Sequence, residues 1–244
     1  MKKHLPLITL GLVLGFAVGH AAPTNIAITD SSFETPTESN GGIGDFLGSG
    51  FLSIPYTSNN PNEVGVKNPG NQEFPNSSSN AADTPLPSPA DGLNALFEFA
   101  AAGQSTPTLV TYSGNLGDFI AGDTYTLTVA VGDGSFTDSP FGMFSADLLS
   151  NGGSVKTSTL TPTAAEQGTF QDLSVTYTAT QADAGKAIGF DLGLTNIDGT
   201  QEEGLFDNVT LTQDAVPEPS SLAFLMVSGV IGLLLPVFRH RFQA

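Results

Sequence analysis

Gly122 to Asp133 reads GDTYTLTVAVGD, and this stretch decides the fold. Tyr125, Leu127, Val129 and Val131 alternate with Thr and Ala. An apolar period of two, enriched in β-branched residues, is the pattern of a half-buried strand. The same pattern recurs downstream. Leu173, Val175 and Tyr177 share one phase within 170–180; Ile188, Phe190, Leu192 and Leu194 share one within 187–196; Val209 and Leu211 do so within 205–212. Shorter candidates lie at 25–29, 64–66, 94–99, 108–112 and 142–149. Gly, Asn, Asp and Pro fill the gaps as turn formers. No part of the body shows a capped 3.6-residue period; Gln181 to Gly185 offers one turn at most. The expected fold is all-β, an antiparallel, jelly-roll-like β-sandwich over residues 22–215. Segments 35–62 and 67–92 are long and rich in Pro, Asn and Ser, so they read as loops.

Composition narrows the chemistry. The chain has 244 residues, no Cys and no Trp. Disulfides, thiol catalysis and thiolate metal sites are excluded. The three histidines, His4, His20 and His240, all lie in the terminal segments. The body therefore has no imidazole for acid–base work, a Ser-His-Asp triad or a zinc site. Its cations are Lys67, Lys156 and Lys186, with no Arg, whereas of the 24 acids only Glu218 lies outside it. Such a surface repels phosphate, so nucleic acid is not an expected partner. Cations, calcium above all, are favoured.

The two ends are apolar. Met1-Lys2-Lys3-His4 precedes an apolar run from Leu5 to Val18, then Gly19-His20-Ala21-Ala22. A basic start, an apolar centre and small residues at the exit predict a signal peptide over 1–21. At the other end, Val216-Pro217-Glu218-Pro219 leads into an apolar run over 222–238, followed by Arg239-His240-Arg241. As a helix that run reaches about 25 Å, just under the thickness of a hydrocarbon core. This order over 216–244 resembles the PEP-CTERM sorting signal of Gram-negative bacteria. The resemblance implies a transmembrane helix at 222–238 that anchors the chain in the inner membrane until processing. It also implies an exosortase acting at Pro217, Glu218 and Pro219, with Arg239 and Arg241 on the cytoplasmic side, and final residence at the cell envelope, cell surface or outside the cell.

Two motifs bracket the body. Ile28-Thr29-Asp30-Ser31-Ser32-Phe33-Glu34-Thr35-Pro36 and Phe206-Asp207-Asn208-Val209-Thr210-Leu211 resemble the first and last strands of galactose-binding-like jelly rolls. First and last strands are neighbours in such a sandwich, so Glu34 and Asp207 are brought together. Two buried carboxylates repel unless a cation lies between them. The resemblance implies a structural Ca2+ on Glu34 and Asp207, with backbone oxygens around Asp30 and Ser32 assisting.

Catalytic candidates are few. Asp and Glu are the only strong acids or bases in the body, and Glu202-Glu203 reads as a solvated loop. Phe46, Phe51, Tyr56 and Phe74 lie in or beside the long loops, where they are candidate pocket residues. The leading expectation is a non-enzymatic surface or extracellular-matrix protein, with extracellular polysaccharide as candidate partner and no catalytic residue. One alternative is a calcium-dependent carbohydrate-binding module. Another rests on Phe33-Glu34, the Tyr125–Val131 strand and Phe206-Asp207-Asn208-Val209, in which the body also resembles the cyanobacterial Stig cyclases. Those are calcium-bound jelly rolls that rearrange prenylated indole isonitriles with an aromatic pocket and one acid. That chemistry needs neither His nor Cys.

Overall fold

A computed structural model describes residues 22–35, 43–45, 51–52, 62–69, 86, 88–103, 108–112, 114–133 and 142–216. The expected signal peptide, Pro217, Glu218, Pro219, the 222–238 helix, Arg239 and Arg241 lie outside the described residues. No helix among the described residues is long and apolar enough to cross a membrane.

Residues 22–215 form one compact unit. Its strands are β1 (Thr24–Ile26), β2 (Ile43–Asp45), β3 (Phe51–Leu52), β4 (Asn62–Lys67), β5 (Ala95–Ala100), β6 (Thr108–Tyr112), β7 (Thr124–Asp133), β8 (Met143–Ser150), β9 (Gly153–Leu160), β10 (Thr169–Thr178), β11 (Ile188–Thr195) and β12 (Glu202–Asp214). They make two antiparallel sheets. One has seven strands in the order β10-β7-β12-β5-β4-β2, with β1 also paired to β12; the other has the order β3-β6-β11-β8-β9. The all-β, antiparallel sandwich expected from the period-two pattern is what the chain forms.

The quoted stretch becomes β7, a central strand between β10 and β12. Tyr125, Leu127, Val129 and Val131 are buried in the main core, as its alternation requires. Its other face is wet over Thr124 to Thr128 and dry at Ala130. There Thr124, Thr126 and Thr128 hydrogen-bond Thr178, Thr176 and Ser174 directly across the register, at 2.9, 3.1 and 2.9 Å. On β5 both faces are dry. Leu96 and Ala100 join the main core, whereas Ala95 and Phe97 join a second cluster with Leu86, Ala90, Ala130, Phe170 and Leu205. A strand buried on both faces reads as a continuous apolar run. In Ala95–Ala100 one charge, Glu98, interrupts that run.

Three strands escaped the sequence reading. β9 pairs only with β8 and most of its residues are exposed, so GSVKTSTL shows no apolar alternation. β2 and β3 are short pieces inside the segment 35–62 that reads as loop.

Candidate functional site

Glu34 and Asp207 are brought to one end of the body by three backbone segments. β1 pairs with β12, Ile26 opposite Leu211, and the next segment follows β12 back, with Val209 N–H donating to Ser31 O at 2.8 Å. The register of β12 slips between Asp207 and Thr210, a bulge that redirects Asp207. The third segment, 89–94, supplies donors. Leu93 and Asn94 N–H both donate to Glu34 Oε1, at 2.8 and 3.1 Å. Asp91 N–H donates to Asp207 Oδ2 and Asn208 N–H to Asp207 Oδ1, each at 2.7 Å. Asn208 Nδ2 ties back to Pro89 O at 2.8 Å.

Backbone strain is concentrated here. Of four non-glycine residues with positive φ among the described residues, Asp30, Phe33 and Asn208 flank these carboxylates, at 55°, 51° and 46°. For a bulky residue such as Phe33 that conformation costs on the order of 1–2 kcal/mol. Gly92, at φ 62°, accepts Glu34 against its backbone; a Cβ there would fall 1.8 Å from Glu34 Oε1.

The electrostatics are unbalanced. Asp207 is fully buried and its carboxyl is pushed up to about 8, first by burial. The amides of Asp91 and Asn208 pull it down, and the charges of Asp91 and Glu34 push it up again. Burial also raises Asp30, against the backbone of Thr35 and Glu34. Asp30 Oδ2 and Asn94 Oδ1 are buried without a hydrogen-bond partner. Asp30 O is engaged in the turn, accepting from Phe33 N–H at 3.1 Å, and Ser32 is half-buried beside it. Among the described residues no three His, Cys, Asp or Glu side chains are grouped as a metal cluster.

A second pair of acids was missed. Glu98 is fully buried on the same face of β5 as Leu96 and Ala100, between the sheets. Neither of its carboxylate oxygens has a hydrogen-bond partner. Burial drives its carboxyl well above the ordinary carboxylate value; the Leu194 backbone opposes this and Asp191 adds to it. Glu202, read from sequence as part of a solvated loop, instead opens β12 and is fully buried. The reason is register: Glu202 lies opposite Ala100 and Glu98 opposite Gly204, so both acids share the inner face. Glu202 Oε1 accepts from Ile197 N–H at 3.0 Å, and Oε2 is unpartnered. Burial raises its carboxyl, the Ile197 amide lowers it and Asp198 raises it. Glu203 points to the other face and pairs with Lys67, whose Nζ lies 5.2 Å from the Phe97 ring centre. The signal for Glu98 was legible: a charge flanked by Phe97 and Phe99 in a run dry on both faces.

Apolar rings surround the inner face. Phe144 and Phe206 meet edge-on at 5.2 Å. Phe33, Phe51, Tyr112 and Phe190 form a chain of rings in which Tyr112 stacks on Phe190 at 5.0 Å. Phe51 thus belongs to the core; Phe46, Tyr56 and Phe74 lie outside the described residues.

The model of the HpiC1-like family, described as HpiC1 cyclase, matches residues 24–212. The chain belongs to the HpiC1-like cyclase family. Its solved neighbours agree in fold. The Stig cyclase Fisc from Fischerella sp. TAU, in complex with (3Z)-3-(1-methyl-2-pyrrolidinylidene)-3H-indole, is 20% identical over 79% of this chain and 98% of its own, with a TM-score of 0.61. An apo cyclase from Fischerella sp. is 22% identical over 80% and 97%, with a TM-score of 0.61. A Fischerella sp. TAU cyclase in complex with 4-(1H-Indol-3-yl)butan-2-one is 20% identical over 78% and 97%, with a TM-score of 0.58. No curated protein matches the chain. Membership of the HpiC1-like family overturns the leading expectation of a non-enzymatic, polysaccharide-associated matrix protein.

Proposed function

We propose that this member of the HpiC1-like family is a small-molecule cyclase that isomerises a prenylated indole by acid-initiated ring closure, with Glu98 as the acid. The observation that carries the reading is the Glu98 carboxyl, fully buried with both oxygens unpartnered. The groups that act on it are the Leu194 backbone and Asp191; neither is a cation. Burial of this kind favours the protonated form of a carboxyl, which is a proton donor. An alkene or an indole ring is a weak base, and delivery from a dry acid avoids competition with water. The buried side chains of Leu194, Phe144 and Phe206 make its surroundings apolar.

The test is direct. The full chain is incubated with a prenylated indole isonitrile, and products of unchanged mass are separated by chromatography. Glu98→Gln should lower turnover by about 10²–10⁴-fold, the usual worth of a general acid. Unchanged turnover in Glu98→Gln refutes the assignment of the acid. Absence of conversion by the wild-type chain refutes the reading as a cyclase of this substrate.

A structural calcium belongs to the same proposal. Glu34, Asp207, the Asp30 carboxyl and Asn94 Oδ1 are the residues that would hold it, with neighbouring backbone carbonyls completing an oxygen shell. The two orphaned oxygens and the raised Asp207 support this fit. The ion would neutralise the carboxylates and tie the first and last strands together, apart from the chemistry at Glu98. The sandwich wiring, in which the chain crosses repeatedly between sheets, supports a jelly-roll-like reading. The terminal sequences support export through residues 1–21 and exosortase sorting at Pro217-Glu218-Pro219, with transient anchoring by 222–238. Intact mass of the product released by the host checks both cuts.

A further inference from the structure

We propose that residues 88–94 form a calcium-seated strap that closes over an apolar patch on the outer side of the seven-stranded sheet, a role that rests on the proposed calcium site. The patch is made by Ala95 and Phe97 of β5, Leu205 of β12, Ala130 of β7 and Phe170 of β10, in one buried cluster with Leu86 and Ala90. Register explains it. Phe97 is opposite Leu205, Leu205 opposite Gly132 and Gly132 opposite Phe170, so one row crosses four strands. The Phe170 ring lies over the position that lacks a side chain; a Cβ on Gly132 would fall 2.7 Å from its Cδ1. Such a row on the outside of a sheet needs a cover. Leu86 and Ala90 provide it, and both are buried. The main core, with Leu96, Leu127, Val129, Val131 and Phe206, lies on the opposite face of the same strands. The sandwich can therefore persist while the strap opens.

The bonds that seat the strap end on the residues of the ion site. Asp91 N–H donates to Asp207, Leu93 and Asn94 N–H donate to Glu34, and Pro89 O accepts from Asn208. Asn94 Nδ2 adds a longer contact to Glu34 Oε2 at 3.4 Å. Gly92 lets the strap come this close, since a Cβ there would fall 1.8 Å from Glu34 Oε1. Leu86 N–H donates to Gly92 O at 2.8 Å and ties the covering residues to the seated segment.

The strap also carries a ligand of its own. Asn94 is fully buried and its Oδ1 has no hydrogen-bond partner. A buried amide oxygen in that state is costly unless a cation takes it. Glu34, Asp207 and the Asp30 carboxyl belong to the body of the sandwich, whereas Asn94 belongs to the strap. Opening the strap withdraws Asn94 and the amide donors together, so the open form loses the ion. An ion that binds only the closed form suppresses opening in proportion to its concentration. At 100 times its dissociation constant the suppression is about 100-fold. Calcium then decides whether the Phe97–Phe170 row is covered or meets solvent.

Amide hydrogen exchange of the full chain tests this, read residue by residue at one pH in chelator and across a series of calcium concentrations. In chelator the Asp91, Leu93 and Asn94 amides should exchange faster than the Leu127 and Val129 amides of β7, because they open locally. Calcium at 100 times its dissociation constant should slow the strap amides about 100-fold. Gly92→Ala forces the strap off Glu34, so its amides should exchange fast with or without calcium while β7 stays protected. Equal protection of strap and β7 in chelator overturns the proposal, since the strap then opens only with the whole sandwich. Strap exchange that ignores calcium while calcium raises the urea midpoint also overturns it, and leaves the ion site standing. A folded Gly92→Ala whose strap is as protected as the wild type's overturns it too. If Gly92→Ala does not fold, the wild-type series decides alone. Calcium that neither raises the urea midpoint nor slows any amide fails the calcium site itself, and the strap proposal with it.

Discussion

With the proposed calcium site empty, this protein should lose stability as the pH rises, and Asp207 should carry much of the loss. The side chain is fully buried, and without an ion its carboxyl titrates at about 8 instead of the ordinary 3.8. The folded state then holds its proton more tightly than the unfolded chain. Stability from this group is complete below about pH 4 and drains away as the pH rises to about 8. At about 1.4 kcal/mol per pH unit, the full span has an upper bound of about 6 kcal/mol. That is comparable with the 5–15 kcal/mol, in round terms about 10, that holds an ordinary domain together. Between pH 5 and 8 the bound is about 4 kcal/mol. With a urea slope of about 2–3 kcal/mol per molar, the midpoint shifts by roughly 1.3–2 M. The assay is urea unfolding at pH 5, 6, 7 and 8 in chelator, for the wild type and for Asp207→Asn. The difference between the two pH slopes belongs to Asp207. Asparagine keeps one acceptor but turns an amide toward the second N–H donor, so the variant should start about 1–3 kcal/mol lower at pH 5. Calcium at 100 times its dissociation constant should return about 2.7 kcal/mol to the wild type at pH 8 and far less to the variant. Equal slopes in chelator refute the electrostatic argument. Equal stabilisation of both proteins by calcium refutes the proposed ion site.

Three further perturbations probe other parts of the sandwich. Gly204→Ala drives a methyl toward Phe144 and Leu194 and should cost about 1–3 kcal/mol, read as a lower thermal midpoint. Tyr112→Phe keeps the stack on Phe190 but removes the oxygen that accepts Thr29 N–H at 3.1 Å; about 1 kcal/mol should be lost in urea unfolding. Asp183 accepts hydrogen bonds from Thr180 Oγ1, Tyr177 O–H and Thr180 N–H, which hold its carboxyl well below the ordinary range. Its contribution is present above the unfolded value of about pH 4 and is lost as the pH falls, so Asp183→Asn should show a shallower acid limb in a pH titration of unfolding.

The β7 pattern was sufficient for the strand and its buried face, because alternation along a strand is a local property. The same holds for β10, β11 and β12. The motifs at the two ends of the body also announced where Glu34 and Asp207 belong, since both sit beside strands that pair. What local pattern does not carry is which polar residue loses its water. Glu202 and Glu203 are adjacent acids of one type; one is sealed between the sheets and the other pairs with Lys67 on the opposite face. Only the register of β12 against β5 makes that choice. β9 likewise exists because β8 offers an edge, since its own residues bury little.

By itself, then, the sequence determined an all-β body, its central strands, an acidic surface, and a chemistry without imidazole or thiol. Those properties follow from composition and from a period of two, and each is decided within a few residues. The tertiary structure alone decided that Glu98 and Glu202 face one another's strands in a dry interior. It also decided that segment 89–94 supplies the donors to Glu34 and Asp207. Desolvation is set by everything packed around a group, much of it distant along the chain, and the proton affinities of these acids follow from that packing.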